Sequence, residues 1–471
     1  MFGLFKNPNY KFSVVTAVYN TEKYLSESIN SIINQSIGFE DNVQLILVND
    51  GSTDKSGDIC KKYKSLYPKN IVYIRTKNRG VSSARNKGLK KVKGKYINFL
   101  DSDDKLSKNT LKEVWEFFEK HFNEVDFVSI PIYLFDAEKG KHRLNYKFKK
   151  NKVIDILNNP QNPQLSVSSC FIKKKICRSK KFDTQVHYTE DMKYLSEILL
   201  NNPKYGVVKN PKYFYRKRKD KSSAIQQSRQ DLSWYLDTPK FVYLDILEKA
   251  EEKFSKIPHY FMDVVMYDMQ YRLMQEDIKD LIGRENFLKY KNLIRHVLLK
   301  IDNYIIMNQR RYYKEHIILA YALKYNKSIE EICNELVNKK GGFYFKDILF
   351  DKDLINIQFE NITDTKNQYE ITGCISSIIP FKEIYIEITD ENDKPIDVSL
   401  QRRKEEDKII FGMIILKNLK FKLKRNTKKG KKILKFKIKY KNHYLDTKLL
   451  SHTNKQLADK ITKKENIIYI S

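Results

Sequence analysis

The feature that most constrains this chain is a pair of apolar, β-branched runs, "FSVVTAV" (12–18) and "VQLILV" (43–48), with an amphipathic segment between them. A strand with one wet face alternates polar and apolar residues. These runs are apolar nearly throughout, as in a parallel sheet covered on both faces. Between them Tyr24, Leu25, Ser28, Ile29, Ile32 and Ile33 recur at helical spacing, with Asn20 or Thr21 available as N-cap. The pattern repeats through "IVYI" (71–74), a helix carrying Val81, Ala84, Leu89 and Val92, "YINFL" (96–100), a helix with Leu111, Val114, Trp115 and Phe118, and "VDFVSI" (125–130). This succession predicts an open, mainly parallel α/β sheet whose ligands gather beyond the carboxyl ends of the strands.

The rest of the chain changes style twice. Residues 135–225 are mixed, with a helix expected near 190–201 and a short strand at "YGVV" (205–208). From about 230 to 340 the text is helical and aromatic-rich, as in "FVYLDILEKAEEKF" and "HIILAYALKYN". After "NKKGG" (338–342), the segments "YEITGCISSI", "KEIYIEITD", "KIIFGMIIL", "LKFKLKR" and "KILKFKIKYK" alternate apolar and polar residues between turn signals, which predicts an antiparallel β-sandwich. We expect an α/β domain over 1–228, a helical region over 229–342 and a β-domain over 343–471, the last serving oligomerisation or acceptor binding.

Five cysteines without a C-x-x-C pair fit reduced thiols better than a disulfide framework or a zinc site. The amino terminus lacks the apolar core of a signal peptide, and no run of about 18 apolar residues occurs. These features predict a cytoplasmic protein, at most peripheral at the inner face of the plasma membrane. The 89 Lys plus Arg against 58 Asp plus Glu give a formal net charge of +31, which suits a polyanionic partner, an anionic membrane surface or a phosphate-bearing ligand. A Lys-rich surface that is only solvated, from AT-rich codon usage, explains the charge equally well.

Against that charge, "YINFLDSDDKLS" (96–107) places Asp101, Asp103 and Asp104 within four positions at the end of a strand. Carboxylates this close raise one another's pKa and repel unless a cation neutralises them. A hard ion such as Mg²⁺ or Mn²⁺ takes one or two protein carboxylates and completes its shell with water and substrate phosphates. An acidic first turn for the helix starting near Ser107 accounts for one or two of the aspartates, not for a third. Two further segments lie at strand ends. In "VNDGSTD", Asp50 can accept hydrogen bonds from a base or ribose while Gly51 lets the backbone come close, although Asp-Gly-Ser is also ordinary turn chemistry. In "NRGVSSARNKG" (78–88), Gly80, Ala84 and Gly88 suit helix–sheet packing, whereas a buried Arg85 demands an anionic partner. Later, "HYTEDMKYLSEILL" puts Glu190 and Asp191 at a helix start, either as first-turn acids or as a carboxylate that takes a proton from an attacking hydroxyl. "YFYRKRKDKSSA" (213–224) reads as a solvated basic loop or as a flap over a diphosphate.

"SVVTAVYN", "LILVNDGSTD", "NRGVSSARNKG", "YINFLDSDD" and "TED", in this order and spacing over about 180 residues, resemble the family 2 glycosyltransferases of the Rossmann-like GT-A fold. Ala17 stands where these enzymes usually have Pro, and Asn49 where an Asp is common. The resemblance implies inverting transfer of a hexose or N-acetylhexosamine from a UDP-sugar to an acceptor hydroxyl, with Mn²⁺ or Mg²⁺ as cofactor. It implies that Asp50 reads the uracil, that Arg85 lies near the nucleotide, and that Asp101 holds the ribose side. Asp103 would bind the metal, with Asp104 near the sugar or assisting. Ala17, Tyr19, Asn78 and Ser102 would line the same nucleotide site. Asp191 would be the general base, supported by Glu190, and Arg216, Arg218 and Ser222 would belong to a phosphate-covering loop. The string "QDLSW" (230–234) lacks the Arg of the processive Q-x-x-R-W signature, so transfer of one or a few sugars is expected.

The order of an α/β module, a helical segment and a β-domain resembles enzymes that decorate wall teichoic acid or build capsule. The acceptor expected on that resemblance is a polyanionic glycopolymer; a lipid-linked or lipooligosaccharide acceptor is the alternative. A nucleic-acid-binding protein is the rival class suggested by "KLKRNTKKGKKILKFKIK" (422–439), but these lysines alternate with Leu, Phe and Ile as on the wet face of a strand. No nucleic-acid partner is expected.

Overall fold

The computed structural model describes residues 10–219, 228–309, 314–339, 342–346, 348–350, 354–364, 368–426, 432–441, 443–445, 448–449, 461–464 and 467–470. The chain divides into two compact units, Met1–Val265 and Met266–Ser471.

The first unit is built on β1 (Phe12–Val18), α1 (Leu25–Ile33), α2 (Phe39–Asn42), β2 (Val43–Asn49), α3 (Ser56–Leu66), β3 (Ile71–Arg75), α4 (Val81–Leu89) and β4 (Tyr96–Phe99). The two apolar runs pair in parallel with Val14 opposite Leu45, and every residue of β2 is buried. It continues through β5 (Lys105–Leu106), α5 (Thr110–Lys120), β6 (Phe127–Ser129), β7 (Ile132–Asp136), β8 (Gly140–Lys141), β9 (Lys152–Asp155), β10 (Cys170–Lys173), α6 (Lys174–Ser179), α7 (Glu190–Asn201), β11 (Lys204–Val207) and β12 (Tyr213–Lys217). The main sheet has the order β3-β2-β1-β4-β10-β6-β11-β9. Strands β10 and β9 run against their neighbours, so the sheet is mainly parallel with antiparallel insertions.

A second sheet, β5-β12-β7-β8, stands past the carboxyl end of β4. Its strand β12 takes up the start of the basic segment that reads from sequence as loop or flap, because Tyr213 to Lys217 pair in parallel with Ile132 to Asp136. This pairing carries Tyr213 and Arg216 to the aspartates that follow β4.

Local chemistry departs from expectation at three points. Helix α1 has Tyr24 at its N-cap position with no side-chain cap; Asn20 instead accepts from the Thr53 N–H at 2.9 Å, tying the loop after β1 to the loop after β2. Gly88 and Ala84 do pack α4 on the sheet, since a Cβ on Gly88 would lie 2.3 Å from Val15 Cγ1 and Ala84 is fully buried. Gly80 has open space around it, and its φ of +82° is what a side chain would resist. Helix α4 ends at Leu89, and Val92 packs beyond it in a turn.

Helices continue the chain, among them Asp245–Phe254, His259–Leu273, Arg284–Leu299 and Lys314–Tyr325. In the second unit two mostly antiparallel sheets follow, one centred on Gln368–Ser377 and Met413–Asn426, the other on Ile384–Thr389 and Lys432–Tyr440. Phe359 and Phe421 of one sheet meet Phe436 of the other at ring separations of 6.3 and 5.8 Å. "KIIFGMIIL" is a hairpin rather than one strand. Phe411 and Gly412 both have positive φ, the twist a two-residue turn needs between Ile410 and its partner Met413. The five cysteines are buried and unpaired. Among the described residues no helix is long and apolar enough to cross a membrane.

Gly88→Ala forces a methyl group onto Val15 and is expected to lower unfolding free energy by about 1–3 kcal/mol in urea titration. Gly80→Ala, strained rather than overpacked, is expected to cost about 1–2 kcal/mol.

Candidate active site

Helix α4 points a single long side chain, Arg85, into the space beyond β4, and that side chain is 5% exposed. Burying a guanidinium is tolerable only with anions around it. Here Nη1 donates to Glu190 Oε1 at 2.9 Å and to Asp191 Oδ1 at 2.7 Å, while Nη2 donates to Asp101 Oδ1 at 3.1 Å. Phe182 covers the guanidinium with its ring centroid 5.2 Å away. The two acidic residues at the start of α7 and the first aspartate after β4, 90 positions apart in the chain, thus share one cation.

Burial raises the pKa of Glu190 to about 7, and the neighbouring charge of Asp191 adds to the rise while Arg85 opposes it. Burial likewise lifts Asp191 above the ordinary carboxylate range, against the pull of Arg85 and the hydrogen bond from the Val167 N–H. Asp191 therefore has one oxygen on Arg85 and the other on the Val167 N–H at 3.0 Å. Asp101 is fixed in turn by the Ser168 hydroxyl, which donates to Oδ2 at 2.9 Å.

The remaining aspartates separate by environment. Asp104 is 1% exposed and accepts from Tyr213 Oη at 2.6 Å and from the Arg216 N–H at 2.7 Å. Burial and the charges of Asp103 and Asp101 raise its pKa well above normal. Asp103 reaches the surface of the site, where Arg218 holds its Oδ2 through Nε at 2.8 Å and Nη2 at 2.6 Å. Arg216 is wholly engaged. Its Nε donates to the Asp103 carbonyl at 2.9 Å, Nη1 to Asp136 at 3.1 Å and Nη2 to Glu27, and its plane lies between the rings of Tyr24 and Phe135. Its geometry gives it a holding role beneath Asp103, whereas Arg218, the residue after β12, pairs with the Asp103 carboxylate. Ser222 lies outside the described residues.

At the other side of the strand ends, Asp50 accepts the Arg79 N–H at 3.2 and 3.1 Å through its two oxygens. Gly51 has φ +82°, and a Cβ there would stand 2.8 Å from the Asn78 nitrogen, so glycine lets the loops after β2 and β3 touch. Asn78 Oδ1 accepts the Gly80 N–H at 3.2 Å. Asn49 closes the turn by accepting the Ser52 N–H at 2.8 Å, a role its amide fills without a charge. Ala17 pairs with Val48 at the carboxyl end of β1, Tyr19 beside it is 48% exposed, and Ser102 is buried. The structure thus brings Arg85, Asp101, Glu190 and Asp191 into one cluster and Asp103, Asp104, Arg216 and Arg218 into an adjoining one.

Among the described residues no group of three or more His, Cys, Asp or Glu could hold a metal ion by itself. A divalent ion that takes one carboxylate and leaves the rest of its shell to diphosphate and water asks less. Of the three aspartates, Asp103 suits it, because Asp104 is consumed by Tyr213 and Arg216, and Asp101 by Arg85 and Ser168.

Comparison with known proteins gives the family. The model of "Glycosyl transferase family 2" matches residues 13–179. The minor teichoic acid biosynthesis protein GgaA of Bacillus subtilis is 35% identical over 338 residues, covering 69% of this chain and 75% of that protein. The chain is a family 2 glycosyltransferase. GgaB of the same organism is 37% identical over 420 residues, 88% of this chain but only 46% of that protein, so the chain spans under half the length of this relative. Among solved structures, Staphylococcus aureus TarS 1–349 in complex with UDP-GlcNAc aligns with a TM-score of 0.56 at 19% identity, over 71% of this chain and 96% of that one. At that identity the likeness speaks for the fold of this glycosyltransferase. Full-length TarS aligns over 98% of the chain with the same TM-score, 0.56, at 15% identity.

Sequence reading missed Val167, Ser168 and Tyr213, which donate to the site carboxylates, and Glu27 and Asp136, which hold Arg216. Only Tyr213 carried a signal, as the first of three aromatic-rich positions in "YFYRK".

Arg85→Met leaves three partly buried carboxylates facing one another without their cation. We expect a loss of about 3–5 kcal/mol at pH 8 by urea titration. Without Arg85 the Glu190 pKa rises above the value of about 7 it has in the intact protein, so the variant takes up its proton at higher pH and the deficit is expected to shrink as pH falls from 8 towards about 7.

Proposed function

We propose that this glycosyltransferase moves one hexose or N-acetylhexosamine at a time from a UDP-sugar to a hydroxyl of an anionic cell-surface polymer of the teichoic-acid or capsule type, with inversion at the anomeric carbon. The observation that carries the proposal is the convergence of Asp191, Glu190 and Asp101 on Arg85 beside a partly exposed Asp103. The names of the relatives, GgaA and GgaB as minor teichoic acid biosynthesis proteins, support the acceptor class.

In the proposed mechanism Asp50 and the loop at Asn78 receive the uracil, and the region of Ala17, Tyr19, Asp101 and Ser102 receives the ribose. A Mn²⁺ or Mg²⁺ ion held by Asp103 would offset the negative charge of the diphosphate leaving group. Arg218 would exchange Asp103 for the diphosphate when the donor arrives. Asp191 would accept the proton of the acceptor hydroxyl as it attacks C1 from the face opposite the leaving group. Glu190, with its raised pKa, would keep a proton near neutral pH and so leave Asp191 as the charged member of the pair. Arg85 would hold both in place and limit the repulsion between them. The β-rich part, from about 343, would serve acceptor binding or oligomerisation. The +31 charge favours a polyanionic acceptor and a peripheral position at the inner face of the plasma membrane.

UDP with Mn²⁺ is expected to raise the melting temperature of the wild type and to leave Asp103→Ala unmoved; stabilisation by DNA or RNA but not by UDP would overturn the enzyme reading. A screen of UDP-Glc, UDP-Gal, UDP-GlcNAc and UDP-GalNAc for donor hydrolysis should single out the sugar. Asp191→Asn is expected to bind that donor normally and to lose about 10²–10⁴-fold in transfer. Capture of a polyanionic acceptor should weaken steeply as salt rises from 0.05 to 0.5 M, on the order of the screening of exposed charges.

A further inference from the structure

The turn at 163–169 crosses the floor of the site and supplies two of its hydrogen bonds, from the Val167 N–H to Asp191 and from the Ser168 hydroxyl to Asp101. A loop that delivers donors with this accuracy needs anchoring. The anchor is Gln164, 4% exposed, whose side-chain oxygen accepts from Ser129 Oγ at 2.8 Å and from Lys147 Nζ at 2.7 Å, and whose amide donates to the Ser166 carbonyl at 2.9 Å and to Ser169 Oγ at 3.2 Å. Lys147 also donates to the Pro163 carbonyl at 2.5 Å. From β4, the Asn98 amide donates to the carbonyls of Ser168 and Cys170 at 2.8 Å each.

Lys147 is the unusual member. It is 3% exposed, and no carboxylate pairs with it among the described residues. It lies against the rings of Phe148 and Tyr205, each centroid 5.5 Å away, with Cys170 and His142 as its titratable neighbours. Burial draws its pKa down to about 7. A buried amine without a counter-ion is expensive, and an aliphatic side chain would fill the same space at lower cost. What an aliphatic side chain lacks is the pair of N–H donors that hold consecutive residues of the turn, Pro163 and Gln164.

We propose that Lys147 and Gln164 are positioning residues for catalysis, acting through the 163–169 turn to hold the proton-accepting carboxylate Asp191 and its neighbour Asp101 in register. This inference rests on the assignment of Asp191 as the base. Loosening the turn withdraws the Val167 N–H from Asp191. A carboxylate that loses a donor to its charged form has a higher pKa, so the base becomes protonated at a higher pH. The uracil end of the proposed donor site, at the loops after β2 and β3, has no hydrogen bond to this turn, whereas Asp101 at its ribose end is held by Ser168. The charged or titratable groups that face Asp191 are Arg85 from α4, Asp101 from the end of β4, Glu190 from α7 and Cys170 from β10.

The experiment is the pH profile of kcat for Lys147→Met and, separately, for Ser168→Ala, with the UDP-sugar that the wild type turns over fastest. Glu190→Gln and Asp191→Asn run beside them. For Lys147→Met we expect kcat about tenfold lower at pH 7, a donor KM within about twofold of wild type, and an acid limb displaced by about one pH unit towards alkaline pH, the size of a lost hydrogen bond to a charged group. The same displacement is expected when Lys147→Met is made in the Glu190→Gln background, which removes the titration of Glu190. For Ser168→Ala, which deletes one hydrogen bond to Asp101 and little packing, we expect a severalfold loss of kcat with a severalfold rise in donor KM, because Asp101 lies on the ribose side of the proposed donor site. An acid limb that stays in place in Lys147→Met, or a kcat loss no larger than its loss of folded protein, overturns the proposal, as does an unaltered kcat in Ser168→Ala. Transfer retained by Asp191→Asn would instead remove the base assignment, so the two failures are distinguishable.

Discussion

One buried ion cluster sets the terms for the rest of the catalytic unit. Arg85 has no route to water, and its three carboxylate partners come from the end of β4 and the start of α7. Three partly buried carboxylates share this one cation; burial raises the pKa of Glu190 and Asp191, and neutral donors come from Val167 and Ser168.

The fold exists around this need. Parallel strands β1, β2, β3 and β4 bring the loops that would receive a nucleotide to one edge. The antiparallel strand β10 then turns the chain back beside β4, which is why the 163–169 turn enters the site from below. The small sheet of β5, β12, β7 and β8 closes the other side, and its Tyr213 hydroxyl and Arg216 backbone N–H bind Asp104 while Asp103 is left to Arg218. Two neighbouring carboxylates in the sequence therefore have opposite environments, one committed to structure and one paired with a single arginine.

Much of this was legible before any coordinates. Continuous β-branched runs announce buried parallel strands, and Asp50, Arg85, Asp101, Asp103, Glu190 and Asp191 stood out by placing charge at strand or helix ends. The requirement that a buried Arg85 have anionic partners was readable too, but not their identity, because Glu190 and Asp191 lie more than a hundred residues downstream. What sequence could not convey was the antiparallel insertion. "CFIK" is too short to declare its direction, and "YFYRK" carries enough positive charge to look like a loop although its partner strand is Ile132–Asp136. Hydrogen bonds from backbone groups such as the Val167 N–H leave no mark in residue types at all. Residue type also misled at Asn20, whose side chain serves Thr53 rather than the helix it precedes.

We propose that the carboxylates gathered on Arg85 support a single displacement at the sugar, with no covalent sugar–enzyme stage. The anomeric configuration of the first product formed, read by proton NMR before mutarotation or further reaction, decides it. Inversion is expected, an α-linked donor giving a β-linked product; retention of configuration would overturn the single displacement.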